Sequence, residues 1–377
     1  MYLHILYNDK KFNEATIRLF ESAAPGENRY VVFGAKNNAI PEGTEKIETV
    51  EDFEGILASE CNWVGIFFHP LTFDYRTWLN RIPRNIPIVW YRYGHEAYGL
   101  HPKLKKTLYL PETKNVIKKL YSHHFIKQAI KGALDELSGR FNYFKRVDFF
   151  VGPEREEFNL FRSAGLFSPS AEWICGRIFF LEDLLDWTSN EIKTPGQDIR
   201  VGHSANPSGN HIDAFRWLSR FDLTGRKVIV PLSYGDVAYA KIVMKKGAEI
   251  LGDYFEPITN FLPLHEYTML MDRCGFAVMN HLRQQGGGNI TYDLWRGAKI
   301  YMNKTTSYEY RKNIGFSVEL ITDQSQEQFF SKKGKEQILN DRKILLSIGS
   351  RGAVIETAQN VLANCRRFCE RKSAKKS

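Results

Sequence analysis

Cysteine is sparse in this chain: five of its 377 residues, Cys61, Cys175, Cys274, Cys365 and Cys369. They form no CxxC pair, and the odd number argues against a disulfide framework, so a reducing cytoplasm is expected. Long apolar runs are missing as well. The greasiest stretch, Trp63 to Phe68, is strand-length, far short of the about 18 apolar residues of a membrane span. The first seven residues, Met1 to Tyr7, hold neither a basic segment nor an extended apolar one, and no secretory leader is expected. No GxGxxG follows the first strand-like run and no GxxxxGK[ST] occurs, which disfavours dinucleotide dehydrogenases and P-loop enzymes. Asp-x-Asp is absent, and the ten His and five Cys show no ligand spacing, so no metal-assisted site is expected. Short-period repeats and low-complexity tracts are lacking too.

What is present is core. Apolar residues make up 43% and aromatics 14%, which excludes wholesale disorder, and the length suits about two domains. The net charge of +9 is local. Between His101 and Arg146 there are 11 Lys/Arg against 3 Asp/Glu, and from Arg366 to Ser377 there are 6 against 1. The remaining residues together are mildly acidic. Local basicity points to an anionic partner surface, such as phosphate, nucleic acid or lipid headgroups. The terminal run also reads simply as a solvated tail.

Strand and helix signals alternate, which predicts an α/β architecture. Strands are expected at Tyr2–Tyr7, Tyr30–Phe33, Asn62–Phe68, Ile86–Tyr91 and Val147–Val151, with helices between them. A basic helical region is expected over Lys114 to Leu134. A polar stretch with Pro195-Gly196, Thr188 to Asp198, reads as a linker. Beyond it the alternation restarts, with strands at Ile199–Val201, Val228–Pro231, Ala248–Leu251, Phe276–Asn280 and Ile300–Asn303. Two successive doubly wound, Rossmann-like domains facing a cleft are the economical reading. Their expected bounds are 1–190 and 191–365, followed by a basic tail, 366–377.

In parallel sheets, ligands bind beyond the carboxyl ends of the strands, at helix amino termini. Three loops in the second half fit that geometry. Gly202 to His211 offers His203, Ser204, Asn206, Ser208 and Asn210, of which Ser204, Asn206 and Ser208 can donate to oxygen or cap the helix; Leu232 to Gly235 offers Tyr234. His281 to Asn289 sets Arg283, Gln284 and Gln285 beside Gly286-Gly287-Gly288 and Asn289. Backbone N–H groups, a helix dipole and a guanidinium suit a diphosphate. Polar glycine loops can also merely turn the chain. In the first half, the strand ending at Tyr91 runs into His95 and Glu96, and the preceding one ends at His69. A carboxylate or imidazole there can take a proton from an attacking hydroxyl, with Glu96 placed first, His95 second and His69 third. The lysines from Lys103 to Lys131 interleave with apolar residues, a pattern that can lie on an anionic leaflet or form a solvated helix face. No helix-turn-helix, RNP or zinc pattern accompanies them, so nucleic acid is not the expected partner.

With these residues the chain resembles glycosyltransferase family 56, the 4-alpha-L-fucosyltransferase family. The likeness is clearest from Val201 to Asn303: the Val201-Gly202-His203-Ser204-Ala205-Asn206 run, the Val228-to-Gly235 strand and loop, and Arg283-Gln284-Gln285-Gly286. In the first half, His69 and the Gly94-to-Tyr98 run resemble family positions more loosely. The resemblance implies a GT-B fold, a TDP-sugar donor as substrate with no separate cofactor, and a polyprenyl-diphosphate-linked acceptor at the cytoplasmic face of the bacterial inner membrane. The rivals are another enzyme on that fold, a transferase with a soluble acceptor or a nucleotide-sugar epimerase, and a basic nucleic-acid-binding protein.

Overall fold

The structure is a computed structural model. It describes every residue except 8, 35–39, 60–61, 95, 106, 122–140, 186–191, 193–194 and 375–377. The chain divides into two compact units. One holds Met1–His101, Asp135–Asp183 and Ser347–Ser377; the other holds Pro102–Leu134 and Leu184–Leu346.

The first unit is built on seven parallel strands: β1 Tyr2–Leu6, β2 Asn28–Phe33, β3 Glu45–Ile47, β4 Gly65–His69, β5 Ile88–Tyr91, β6 Phe149–Val151 and β7 Glu172–Ile174. Their order is β3-β2-β1-β4-β5-β6-β7. The central strands are buried along their whole length, as parallel strands covered on both faces must be. The second unit has six parallel strands: β8 Asp198–Val201, β9 Val228–Pro231, β10 Phe255–Ile258, β11 Cys274–Met279, β12 Lys299–Met302 and β13 Val318–Leu320. Their order is β10-β9-β8-β11-β12-β13. Strand order therefore reverses between β8 and β11, where parallel sheets open a ligand crevice at the carboxyl edge.

Three expectations need correction. The basic segment does not belong wholly to the first domain. The Pro111–Leu120 helix packs in the second unit, with Val116 and Leu120 against the core beneath the His211–Leu218 and Val237–Leu251 helices. Asp213 accepts the backbone N–H groups of Glu112 and Thr113 at 2.9 Å each and so caps that helix. The rest of the expected basic helix, with Lys127 and Lys131, lies outside the described residues. Nor do the described residues of the expected basic tail, 366–374, stand apart from a domain. The last helix, Arg351–Ala374, returns to the first unit and buries Val354, Ala358, Val361, Leu362 and Cys365 in its core. Arg366 pairs with Glu27 at 2.8 Å. Finally, Ala248–Leu251 is not a strand but the last turn of the Val237–Leu251 helix, whose apolar stripe continues through Leu251. The strand is β10, at the sheet edge, where Pro257 is tolerated.

Candidate functional site

The carboxyl edge of the second sheet is assembled by backbone first. Gly202 (φ +65°) follows β8, and a Cβ there would lie 2.8 Å from Nε2 of His211. Ala205 donates its N–H to Tyr234 O at 2.8 Å and accepts from Asp236 N at 3.0 Å, which stitches the loop after β8 to the loop after β9. Gly235 (φ +118°) permits that approach, since a Cβ would sit 2.8 Å from the Ala205 carbonyl carbon. Asn210, buried and at φ 51°, donates its amide to the carbonyls of Leu108, Ser208 and Asn280 at 3.1–3.2 Å. Its Oδ1 accepts from Leu110 N at 2.8 Å. Asn210 was expected to touch ligand; the structure makes it the joint of the site.

Around this frame the polar side chains converge. Asn206 Oδ1 accepts from both the N–H and the hydroxyl of Ser208, at 3.0 and 2.8 Å. Ser208 Oγ also lies 2.7 Å from Gln285 Oε1, its one proton serving either acceptor, and Arg283 Nε donates to Ser208 Oγ at 3.2 Å. Arg283 also donates from Nη1 to Gln284 O at 2.9 Å. Gly286 (φ +67°) opens the ten-residue Gly287–Arg296 helix and brings no side chain to cap it. The first-turn N–H groups of that helix thus await an acceptor, and the helix dipole favours an anion there. Asn289 accepts from Tyr267 OH at 2.6 Å. Ser204 is buried, with its Oγ 3.4 Å from Nε2 of His203, whereas Tyr234 is 54% exposed above the loops.

Below them, Arg200 of β8 donates to Gly202 O and is paired with Asp293 of the Gly287–Arg296 helix. Asp293 also accepts from Arg296 at 3.1 and 3.3 Å. The buried guanidinium is compensated, as a charge out of water must be. Burial and the nearby Arg200, His211 and Arg283 push His203 down to about 3, and burial takes His211 to about 4. Sequence reasoning named Ser208 as an oxygen donor or helix cap, and gave no role to Asn280 and His281. Each lies in or beside a loop already singled out, so the loops were legible while the pairings were not.

The first-half candidates are placed differently. Glu96 is buried at the carboxyl end of β5. It accepts from Tyr93 N and Gly94 N at 2.7 Å each and from Trp90 Nε1 at 3.3 Å, closing the turn into its own helix. His69 ends β4 inside an aromatic cluster, its Nε2 3.1 Å from Nδ1 of His4. His4 in turn reaches Asn28 Oδ1 at 3.2 Å. Burial drives His4 down to about 3 and His69 well below the usual imidazole range, so both are neutral. His95 lies outside the described residues. Among the described residues no group of His, Cys, Asp and Glu is placed to hold a metal ion, and no helix is long and apolar enough to cross a membrane.

Residues 182–345 match the family described as 4-alpha-L-fucosyltransferase glycosyl transferase group 56, the family the sequence resembles. The fold is similar to that of Anabaena HepE solved in complex with UDP, at 13% identity over 100% of this chain and 99% of that one, with a TM-score of 0.53. It is also similar to the lipopolysaccharide outer core galactosyltransferase WaaB in its apo form, at 10% identity over 97% and 99%, TM-score 0.57. A third likeness is to alpha,alpha-trehalose 6-phosphate synthase from Burkholderia multivorans, at 9% identity over 100% and 98%, TM-score 0.60. The fold is GT-B, and the matched family makes the chain a glycosyltransferase.

Proposed function

We propose that this glycosyltransferase moves a deoxy-amino sugar, fucosamine-like, from a TDP-sugar to a polyprenyl-diphosphate-linked glycan in cell-surface polysaccharide synthesis. The observation that carries the donor half is the convergence of Arg283, Ser208 and Gln285 at the uncapped start of the Gly287–Arg296 helix. That arrangement favours a diphosphate. In this reading His203, Ser204 and Tyr234 line the donor, and Arg283 with the helix amides stabilises the departing diphosphate. Donors preorganised for developing charge need no rearrangement at the moment of reaction. The UDP bound in HepE supports a nucleotide-sugar donor by analogy of fold.

The lipid-linked acceptor and a peripheral place on the cytoplasmic face of a bacterial inner membrane rest on the matched family and on the lysines. Lys114, Lys118 and Lys119 are exposed on the Pro111–Leu120 helix, available to an anionic leaflet. Glu96 is the residue proposed to receive the acceptor's proton, because it stands at a strand end where parallel sheets place ligands.

Thermal-shift screening against TDP-, UDP- and GDP-sugars tests the donor. A ligand bound by the native state alone raises the melting point. A TDP-sugar giving the largest shift supports the reading, and no shift with any nucleotide sugar sinks it. Flotation with anionic liposomes tests the surface: neutralising Lys114, Lys118 and Lys119 is expected to release the protein, and unchanged flotation removes them from that role.

A further inference from the structure

Two histidines flank the point where strand order reverses in the second unit. His203 stands two residues beyond β8, and His281 two beyond β11. Their rings meet edge to face, with centroids 5.2 Å apart and planes at 88°. His281 is 4% exposed, and its Nε2 has no hydrogen-bond partner. Nδ1 of His203 is equally unpartnered, and it lies against Gly286 at the start of the Gly287–Arg296 helix: a Cβ there would be 3.0 Å away. A buried polar nitrogen left without a partner costs about 1–3 kcal/mol, so two of them side by side ask for an explanation.

The charges around the pair supply one. Arg200 faces it from β8 and Arg283 from the loop after β11; His211, which burial keeps uncharged at neutral pH, faces it from the His211–Leu218 helix, and Tyr234 from the loop after β9. The Asp293 carboxylate below is already shared by Arg200 and Arg296. With cations on two sides, neither imidazole gains from a further positive charge. Burial, His203, Arg283, His211 and Arg200 accordingly hold His281 well below the usual range. A diphosphate arriving at the helix start reverses the sign of that field, and an imidazole that takes a proton presents a new N–H to the anion.

We infer that nucleoside diphosphate binding in the second unit is coupled to proton uptake by the His203–His281 pair, and that His281 is a donor-binding residue. This rests on the donor reading above. The proton comes from solvent and lands on one of the two ring nitrogens without a hydrogen-bond partner, His203 Nδ1 or His281 Nε2. The coupling makes diphosphate affinity fall as pH rises through neutrality, since fewer protons are then available to follow the anion.

Imidazole nitrogen NMR of the full-length, histidine-labelled chain at pH 7, with and without saturating TDP, tests it. At least one of the two rings is expected to pass from the neutral to the imidazolium signature on binding. His203→Gln and His281→Gln (or His281→Asn should the former not fold) assign the signals. His281→Gln is expected to weaken TDP binding about tenfold and to flatten its pH dependence between pH 6 and 8. TDP bound with both rings still neutral overturns the inference and leaves the donor site standing. No binding of TDP, UDP or GDP overturns the donor site itself.

Discussion

Asn210 and Asn280 hold each other's backbone: the amide of Asn210 donates to Asn280 O at 3.1 Å, and the amide of Asn280 donates to Asn210 O at 2.9 Å. This reciprocal pair ties the loop after β8 to the end of β11, across the reversal of strand order. Because Asn210 also reaches Leu108 and Leu110, the segment before the Pro111–Leu120 helix is fastened to the same joint. Asn210→Ala removes four hydrogen bonds from a buried position and keeps a left-handed backbone that alanine resists. The expected loss is about 3 kcal/mol of stability, read by denaturant unfolding. A loss below about 1 kcal/mol would show that the joint is dispensable.

Arg283 is part-buried, and the role proposed for it is toward ligand. Arg283→Ala is expected to leave unfolding within about 1 kcal/mol of the parent and to raise the barrier of the transfer step by about 2–4 kcal/mol, the scale for losing one preorganised donor. Steady-state kinetics with the donor found by thermal shift checks it. Near-parental turnover removes Arg283 from the mechanism.

Two glycines with positive φ make a controlled comparison. Gly225 (φ +76°) has nothing within 4 Å of an added Cβ, so Gly225→Ala meets only backbone strain, about 1 kcal/mol. Gly235 (φ +118°) would place its Cβ 2.8 Å from backbone of Ala205, which cannot swing away as a side chain can. Gly235→Ala is therefore expected to cost at least about 1 kcal/mol more and to weaken nucleotide binding as the two loops part. Equal unfolding free energies for the two variants would contradict the stitch between Ala205 and Gly235.

Much of this edge was legible in sequence because parallel strands are short apolar runs punctuated by glycine. Ile199–Val201 and Val228–Pro231 read as strands for that reason, and their polar sequels read as ligand loops. What failed was non-local. Nothing in Arg351–Ala374 announces that Val354, Val361 and Cys365 pack in the first unit; its charged end reads as solvent-facing. The same holds for Val116 and Leu120, whose partners lie about a hundred residues on. β10 was missed because Phe255-Glu256-Pro257-Ile258 alternates poorly and carries a proline inside the strand, a position tolerated at a sheet edge. Asn210 was seen as a ligand donor because an asparagine in a glycine loop signals hydrogen bonding without saying to what. Its left-handed φ explains the choice of residue.

Glu96 in the first unit invites a test that separates two roles. Its carboxylate takes the N–H groups of Tyr93 and Gly94, and an amide in its place can accept at one atom only. Glu96→Gln is expected to destabilise the chain by about 1–3 kcal/mol through the orphaned donor. As proton acceptor it is also expected to lose turnover at every pH, measured on the folded fraction. Full turnover with lowered stability would leave Glu96 as an anchor of the turn and nothing more.

The deepest charges of the first unit predict a pH dependence of their own. Arg92 pairs with Glu157 and lies 4.0 Å from Glu154, all three side chains at most 2% exposed. One guanidinium thus faces two carboxylates, with Glu96 nearby. Burial raises Glu157 to about 8, against the opposing pull of Arg92 and with Glu154 and Glu96 adding to the rise. The folded pKa therefore exceeds the unfolded one, and between about pH 4.5 and 8 the native state holds a proton the unfolded chain has lost. Stability from this group is fully present at the acid end and falls as pH rises, by at most about 1.4 kcal/mol per pH unit. From pH 7 to 8 the buried histidines and cysteines add smaller dependences, of opposite sign to one another, which comparison with a Glu157 variant cancels. Glu157→Gln carries the neutral form permanently, so from pH 7 to 8 the unfolding free energy of the parent is expected to decline relative to that of the variant. Parallel curves for the two proteins would place the proton elsewhere.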